Sequence, residues 1–139
     1  MLIPILPQPT KIDTPTVSMA SSQYVDVEIA RAVDVSQLKS GVLALRIHDN
    51  ALPSYLKLNV IAFATWPIDS GRERYEDTGS QVLATSDANL ASGSGILVRS
   101  SVASLGAPYV RIVARFTATA NVTTGGSITI SLGFVGYDA

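Results

Sequence analysis

A single histidine, His48, bounds the acid–base chemistry open to this chain. It stands beside Asp49, so a Ser-His-Asp arrangement would have to be built on it. No G-x-S-x-G elbow presents a serine for it to activate, and the nearest approach, Gly93-Ser94-Gly95, lacks the pattern. The better reading is a histidine exposed or hydrogen-bonded near a strand end. The histidine count excludes His-based metal clusters, and the absence of cysteine excludes disulfides, thiolate sites and thiol catalysis. Asp69, Glu73, Glu76 and Asp77 offer carboxylates for calcium, which takes about six to eight oxygens from a flexible loop. Arg72 and Arg74 stand among them and no D-x-D-x-D-G run is present. A solvated loop with surface ion pairs is therefore expected, and no metal is assigned. Glycoside hydrolysis needs two carboxylates at a set separation, and no spacing here singles out such a pair. No catalytic residue and no cofactor is assigned, and the expectation is a protein that is not an enzyme.

Arg111 and Arg115 project with Tyr109 from one face of a predicted strand. With Lys57 and Arg46 they could line a basic stripe whose aromatics stack on bases or sugars. The formal net charge is −1, from 10 basic and 11 acidic residues, so no long-range field draws nucleic acid. A subunit interface is the better use of Arg and Tyr, both enriched in such contacts. Asn121-Val122-Thr123 is a sequon, which matters only in a glycosylating secretory pathway. Gly125-Gly126 is turn material, because a phosphate loop would need a following Lys and the start of a helix.

These residues sit in 139 positions, a length that suits one domain with its own core. Charged residues make up only 15%, against about 25% in ordinary soluble domains. Ser, Thr, Ala and Gly take their place, a composition common on β surfaces that sit in an assembly or work outside a cell. The most apolar stretch, Leu56 to Trp66, carries Lys57 and Asn59 and is far short of the ~20 residues a membrane span needs. The first nine residues are apolar but hold three prolines and no basic region, so no signal peptide is expected. The expectation is a chain kept inside the cell that makes it or released by lysis, with no membrane partner.

The positioning elements follow from alternation. Tyr109 to Ala120 places Val110, Ile112, Ala114, Phe116 and Ala118 on one face, and Ser127 to Tyr137 places Ile128, Ile130, Leu132 and Phe134 on one face. Joined by the turn-rich Asn121–Gly126, these two predict an antiparallel hairpin. Gln23 to Ala32, Val42 to His48 and Tyr55 to Trp66 predict three further strands. The second face of the last turns apolar at Ile61 and Phe63, so that half should be covered on both sides. Gln81–Thr85 and Ile96–Ser101 predict short strands, while Ile68–Ser80 and Ser86–Gly95 read as loops. Asp34 to Leu38 reads as a short helical turn capped by Asp34. Residues 1–20 are set apart from the 21–139 domain as an extended arm, since Pro4, Pro7, Pro9 and Pro15 forbid helix and remove sheet donors. Leu2, Ile3, Ile5, Leu6 and Ile12 in that arm need cover, either from a neighbouring subunit or from the chain's own sheet. The sum is about seven or eight strands without an amphipathic helix: an all-β, antiparallel two-layer sandwich of jelly-roll type. An immunoglobulin-like sandwich competes, though its Cys and Trp core pattern is missing.

In layout, the arm Met1–Val17, the long strands Tyr55–Trp66 and Tyr109–Ala120, and the terminal strand Ser127–Tyr137 resemble the small jelly-roll decoration or cement proteins of tailed phages. That resemblance implies a virion protein made in the host cytoplasm, forming symmetric oligomers, often trimers, on a lattice of major capsid protein. Subunit contact is then expected at Leu2, Ile3, Ile5, Leu6, Ile12, Ile61, Phe63, Tyr109, Arg111 and Arg115. Removing residues 1–20 should weaken oligomerisation or docking and leave the β fold intact. A receptor-binding tip or tail component belongs to the same class. The alternative from another class is a carbohydrate-binding sandwich using Tyr75, Tyr109 or Trp66 as a sugar platform.

Overall fold

A computed structural model describes residues 1–67, 75–85 and 96–138. Eleven strands occur among these described residues: β1 Leu2–Asp13, β2 Ser18–Met19, β3 Tyr24–Asp34, β4 Ser40–Ala51, β5 Leu56–Pro67, β6 Tyr75–Ala84, β7 Ile96–Arg99, β8 Ala103–Ser104, β9 Tyr109–Ala118, β10 Val122–Thr123 and β11 Ser127–Tyr137. No helix occurs among the described residues. Sheet I has the order β1-β11-β4-β7, with β8 also paired to β4; sheet II has the order β3-β9-β5-β6; β2 and β10 form a small ribbon of their own. All pairings are antiparallel. With β2, β8 and β10 set aside, the first remaining strand pairs with the last, the second with the seventh, the third with the sixth and the fourth with the fifth. That nesting is the jelly roll, a long antiparallel ribbon wrapped into two facing sheets.

The core lies between the sheets and is built by period-two alternation. Leu43, Leu45 and Ile47 of β4 and Ile128, Ile130, Leu132 and Phe134 of β11 line sheet I's inner face. Leu58, Val60 and Ala62 of β5 and Val110, Ile112, Ala114 and Phe116 of β9 line the inner face of sheet II. All of these are buried. Where a strand runs out, hydroxyls carry the ladder on. Thr85 Oγ1 accepts from Val60 N at 2.9 Å, just past β6, and Ser100 Oγ accepts from Leu43 N at 2.8 Å, just past β7. Both side chains are buried, where an unmatched N–H would carry its full desolvation cost.

Three sequence expectations are corrected. The strands at Tyr109–Ala118 and Ser127–Tyr137 are not a hairpin: β9 belongs to sheet II and β11 to sheet I. Alternation shows which residues face inward but is silent on whether two such strands pair or face each other across a core. Here the connection crosses between the layers, held by β10 against β2 and by Thr124 Oγ1, which accepts from Val17 N at 2.8 Å. Gly126 completes the crossing with φ +74°, where an added Cβ would fall 2.2 Å from Ala51 O. Next, residues 75–80 are strand rather than loop, since β6 runs from Tyr75 and pairs Asp77 with Thr65 and Glu76 with Trp66. β6 is an edge strand, where charged residues are tolerated and useful. The remainder of the two expected loops, 68–74 and 86–95, lies outside the described residues. Finally, Asp34 caps a tight turn instead of a helix. Its Oδ1 accepts from Ser36 N at 3.0 Å and Ser36 Oγ at 2.6 Å, and Leu38 N donates to Val35 O at 2.9 Å.

Residues 2–13 run along the chain's own sheet as edge strand β1, paired to β11 from Leu2↔Val135 to Asp13↔Ser127. The register slips between Pro4 and Leu6 and again between Leu6 and Thr10. Proline lacks a donor, and an outermost strand with irregular register is the place in a sheet that accepts it.

Candidate functional site

With the inner faces committed to the core, the outward faces of the two sheets are what the molecule presents. On sheet II, β9 places Arg111 and Arg115 outward, and neighbouring β3 meets each with a carboxylate. Arg115 binds Asp26 in a fork, Nε to Oδ1 at 2.9 Å and Nη2 to Oδ2 at 3.0 Å. Its guanidinium lies 3.9 Å from the ring centroid of Tyr24 and 5.8 Å from that of Phe63. The hydrogen bond to Asp26 is the main cause that holds Arg115 above the ordinary guanidinium pKa, against desolvation. Arg111 Nε donates to Glu28 Oε1 at 2.9 Å. Beneath them Ile61, Phe63 and Val113 are buried with Ala84 against them. At these two positions each guanidinium is matched by a carboxylate above a buried apolar layer. The basic stripe considered from the sequence is not assembled: Arg111 and Arg115 are paired to acids, and Arg46 belongs to the other sheet.

The arm residues divide. Ile12 is part of the core, and Ile3, Ile5 and Leu6 pack against it, so their apolar surface is partly covered within the chain. Leu2 alone of the five is mostly exposed, on the outward side of sheet I. Tyr109 is half-buried.

Sheet I presents a different surface. Cross-strand register sets Leu2, Val135 and Val42 in one row, and Pro4, Gly133, Ala44 and Arg99 in the next. Ser131, Arg46 and Leu97 form a third. Gly133 and Ala44 make a low floor, with Leu2 on one side and Leu97 on the other. Leu2 leans inward, since a Cβ added at Gly133 would lie 3.2 Å from Leu2 Cδ1. Two shallow hollows meet along this floor, sharing Ala44 and Leu97, and Val102 and Tyr137 border the second. Leu2 is 66% exposed, Leu97 57% and Val102 63%, so several large apolar side chains stand together in solvent. Sequence reading did not single out Leu97, Val102 or Arg99. The available signal was in β4, where Val42 and Ala44 are apolar on the face opposite Leu43 and Leu45.

His48 also lies on this side, with Nε2 2.9 Å from Ser131 Oγ. A Ser–His contact does chemistry only with a group orienting the imidazole and donors aimed at an oxyanion. No carboxylate bonds to His48 among the described residues, and Ser131 sits within the β11–β4 ladder opposite Arg46. The contact therefore reads as a strand-to-strand hydrogen bond. No group of three or more metal-ligating side chains occurs among the described residues; Asp69 and Glu73 lie outside them.

No protein-family model matches the chain, and no curated protein is similar to it in sequence.

Proposed function

We propose that this chain is a non-enzymatic structural protein of a virus particle, a decoration or cement protein that seats on a phage shell through the outward face of sheet I. One observation supports the reading above others: the exposed apolar surface of Leu2, Leu97, Val102 and Tyr137 around the Gly133–Ala44 floor. Contiguous apolar surface of this kind marks a contact site. The fold adds a weaker argument by analogy, since jelly rolls recur in viral capsids and also in lectins. Binding only to the assembled shell would stabilise that state by mass action. In this reading the protein acts as a symmetric oligomer, a trimer for preference, with the major capsid protein as partner.

The test is particle association. Lysate from cells producing the chain is run on a density gradient, and the protein is followed with an antibody. Co-sedimentation with particles, and regular antibody decoration of their surface, is the expected result. Protein found wholly in the soluble fraction while particles sediment without it would overturn the proposal. A melting shift with one sugar from a glycan panel would favour the carbohydrate-binding alternative.

A further inference from the structure

The arginines of β9 differ in their partners from those of β4 and β7. On sheet II, Arg111 and Arg115 both have carboxylates from β3. On sheet I, Arg46 and Arg99 are exposed beside Leu97 and Ala44, and neither has an ion-pair partner among the described residues. An occupant of the apolar floor would cover them. Burying an unpaired guanidinium carries a large desolvation cost, so a purely apolar occupant is disfavoured. A second copy of the same face would bring arginines against arginines, which like-charge repulsion opposes. What satisfies both the floor and its rim is apolar surface that carries its own carboxylates.

Resting on the docking reading above, we infer that the outward face of sheet I takes an extended acidic-apolar segment of a partner protein, laid along β11 and β4 between Leu2 and Leu97. The dimensions suit one strand. β1 and β7 are three strand spacings apart, about 14 Å at about 4.8 Å each. Arg46 and Arg99 occupy successive rows of one face, about 7 Å apart along the strand direction. The segment therefore carries two carboxylates spaced two residues apart on its β7 side, with apolar residues toward Gly133 and Ala44. Recognition combines apolar pockets with charge-assisted hydrogen bonds to the two guanidinium groups.

The probe is a displayed library of random peptides of about a dozen residues, selected on the full-length protein. Enriched peptides are then measured against wild type and the R46S/R99S, R46E/R99E and L97S variants. Arg46, Arg99 and Leu97 are all exposed to solvent, and each variant is first checked for an unchanged melting temperature. The expected result is enrichment of Asp or Glu among apolar residues. Affinity should fall about tenfold or more in R46S/R99S and in L97S, weaken with added salt, and turn toward Lys-bearing peptides in R46E/R99E. Peptides that need Leu97 but show no acidic preference would overturn the charge inference and leave the docking face standing. Peptides indifferent to Leu97, Arg46 and Arg99, or no enrichment, would remove both. A dimer in solution that L97S dissolves would overturn the inference by making a second copy the occupant.

Discussion

At the residue scale, the Arg115–Asp26 fork is the contact with the most defined geometry on the outer surface. Exposed ion pairs usually contribute little, about 0–1 kcal/mol. This one is bidentate, three-quarters covered, and stacked on Tyr24, so it should lie at the upper end. A double-mutant cycle with Arg115→Ala and Asp26→Ala, read by urea unfolding, is expected to give a coupling of about 1 kcal/mol. A coupling indistinguishable from zero would show that the fork is decorative. The pH dependence has a definite sign. The folded state raises the Arg115 pKa, so the associated stability is fully present below the unfolded guanidinium value and is lost only as pH rises through the higher folded one. Melting across the neutral range should show no step traceable to Arg115. The sequence placed Arg111 and Arg115 outward, as found. It could not show that Asp26 and Glu28 meet them, because that depends on β3 being the neighbour of β9.

At the element scale, β1 is where structure changes what one should expect of an experiment. The prolines and apolar residues of 1–20 read as an extended arm, laid across a neighbouring subunit or back over the chain's own sheet, whose removal should leave the β fold intact. In the fold residues 2–13 are the edge of sheet I, with Ile12 buried and Ile3, Ile5 and Leu6 packed on the core. Each fully buried side chain of this type contributes about 1.5–3 kcal/mol, and partial burial proportionately less. Their sum is a large part of the 5–15 kcal/mol typical of a whole domain. Deleting residues 1–13 is therefore expected to lower the melting temperature by more than about 10 °C or prevent folding, as read by circular dichroism. A truncated chain melting within a few degrees of the full one would show that β1 is the separable arm its prolines suggest. The faces of the long strands were legible because alternation fixes them: Leu58 and Val60 inward, Ile61 and Phe63 outward yet buried. Which strand lies beside which was not, and the misread hairpin is the plain case. Val110 and Ile128 both point into the same core whether their strands pair or oppose.

At the scale of the whole molecule, the topology joins positions far apart in sequence. Met1 and Gly136 exchange backbone contact, with Gly136 N donating to Met1 O at 2.8 Å. β3 pairs β9 and β4 pairs β11 across most of the chain. Chains dominated by such pairings must close long loops before gaining contacts, and they fold in milliseconds to seconds. Stopped-flow refolding monitored by Trp66 fluorescence is expected in that range. Complete refolding within about 100 microseconds would contradict a nested ribbon. The pairing of the first long strand with the last has a mechanical consequence as well. Hydrogen bonds between antiparallel strands lie perpendicular to them, and Leu2 and Tyr137 sit at the same end of the β1–β11 pair. Tension applied through those two points opens the sheet like a zipper, one bond at a time, rather than shearing all of them together. A load that the molecule must resist would have to enter through its broad outer surface, leaving this edge slack.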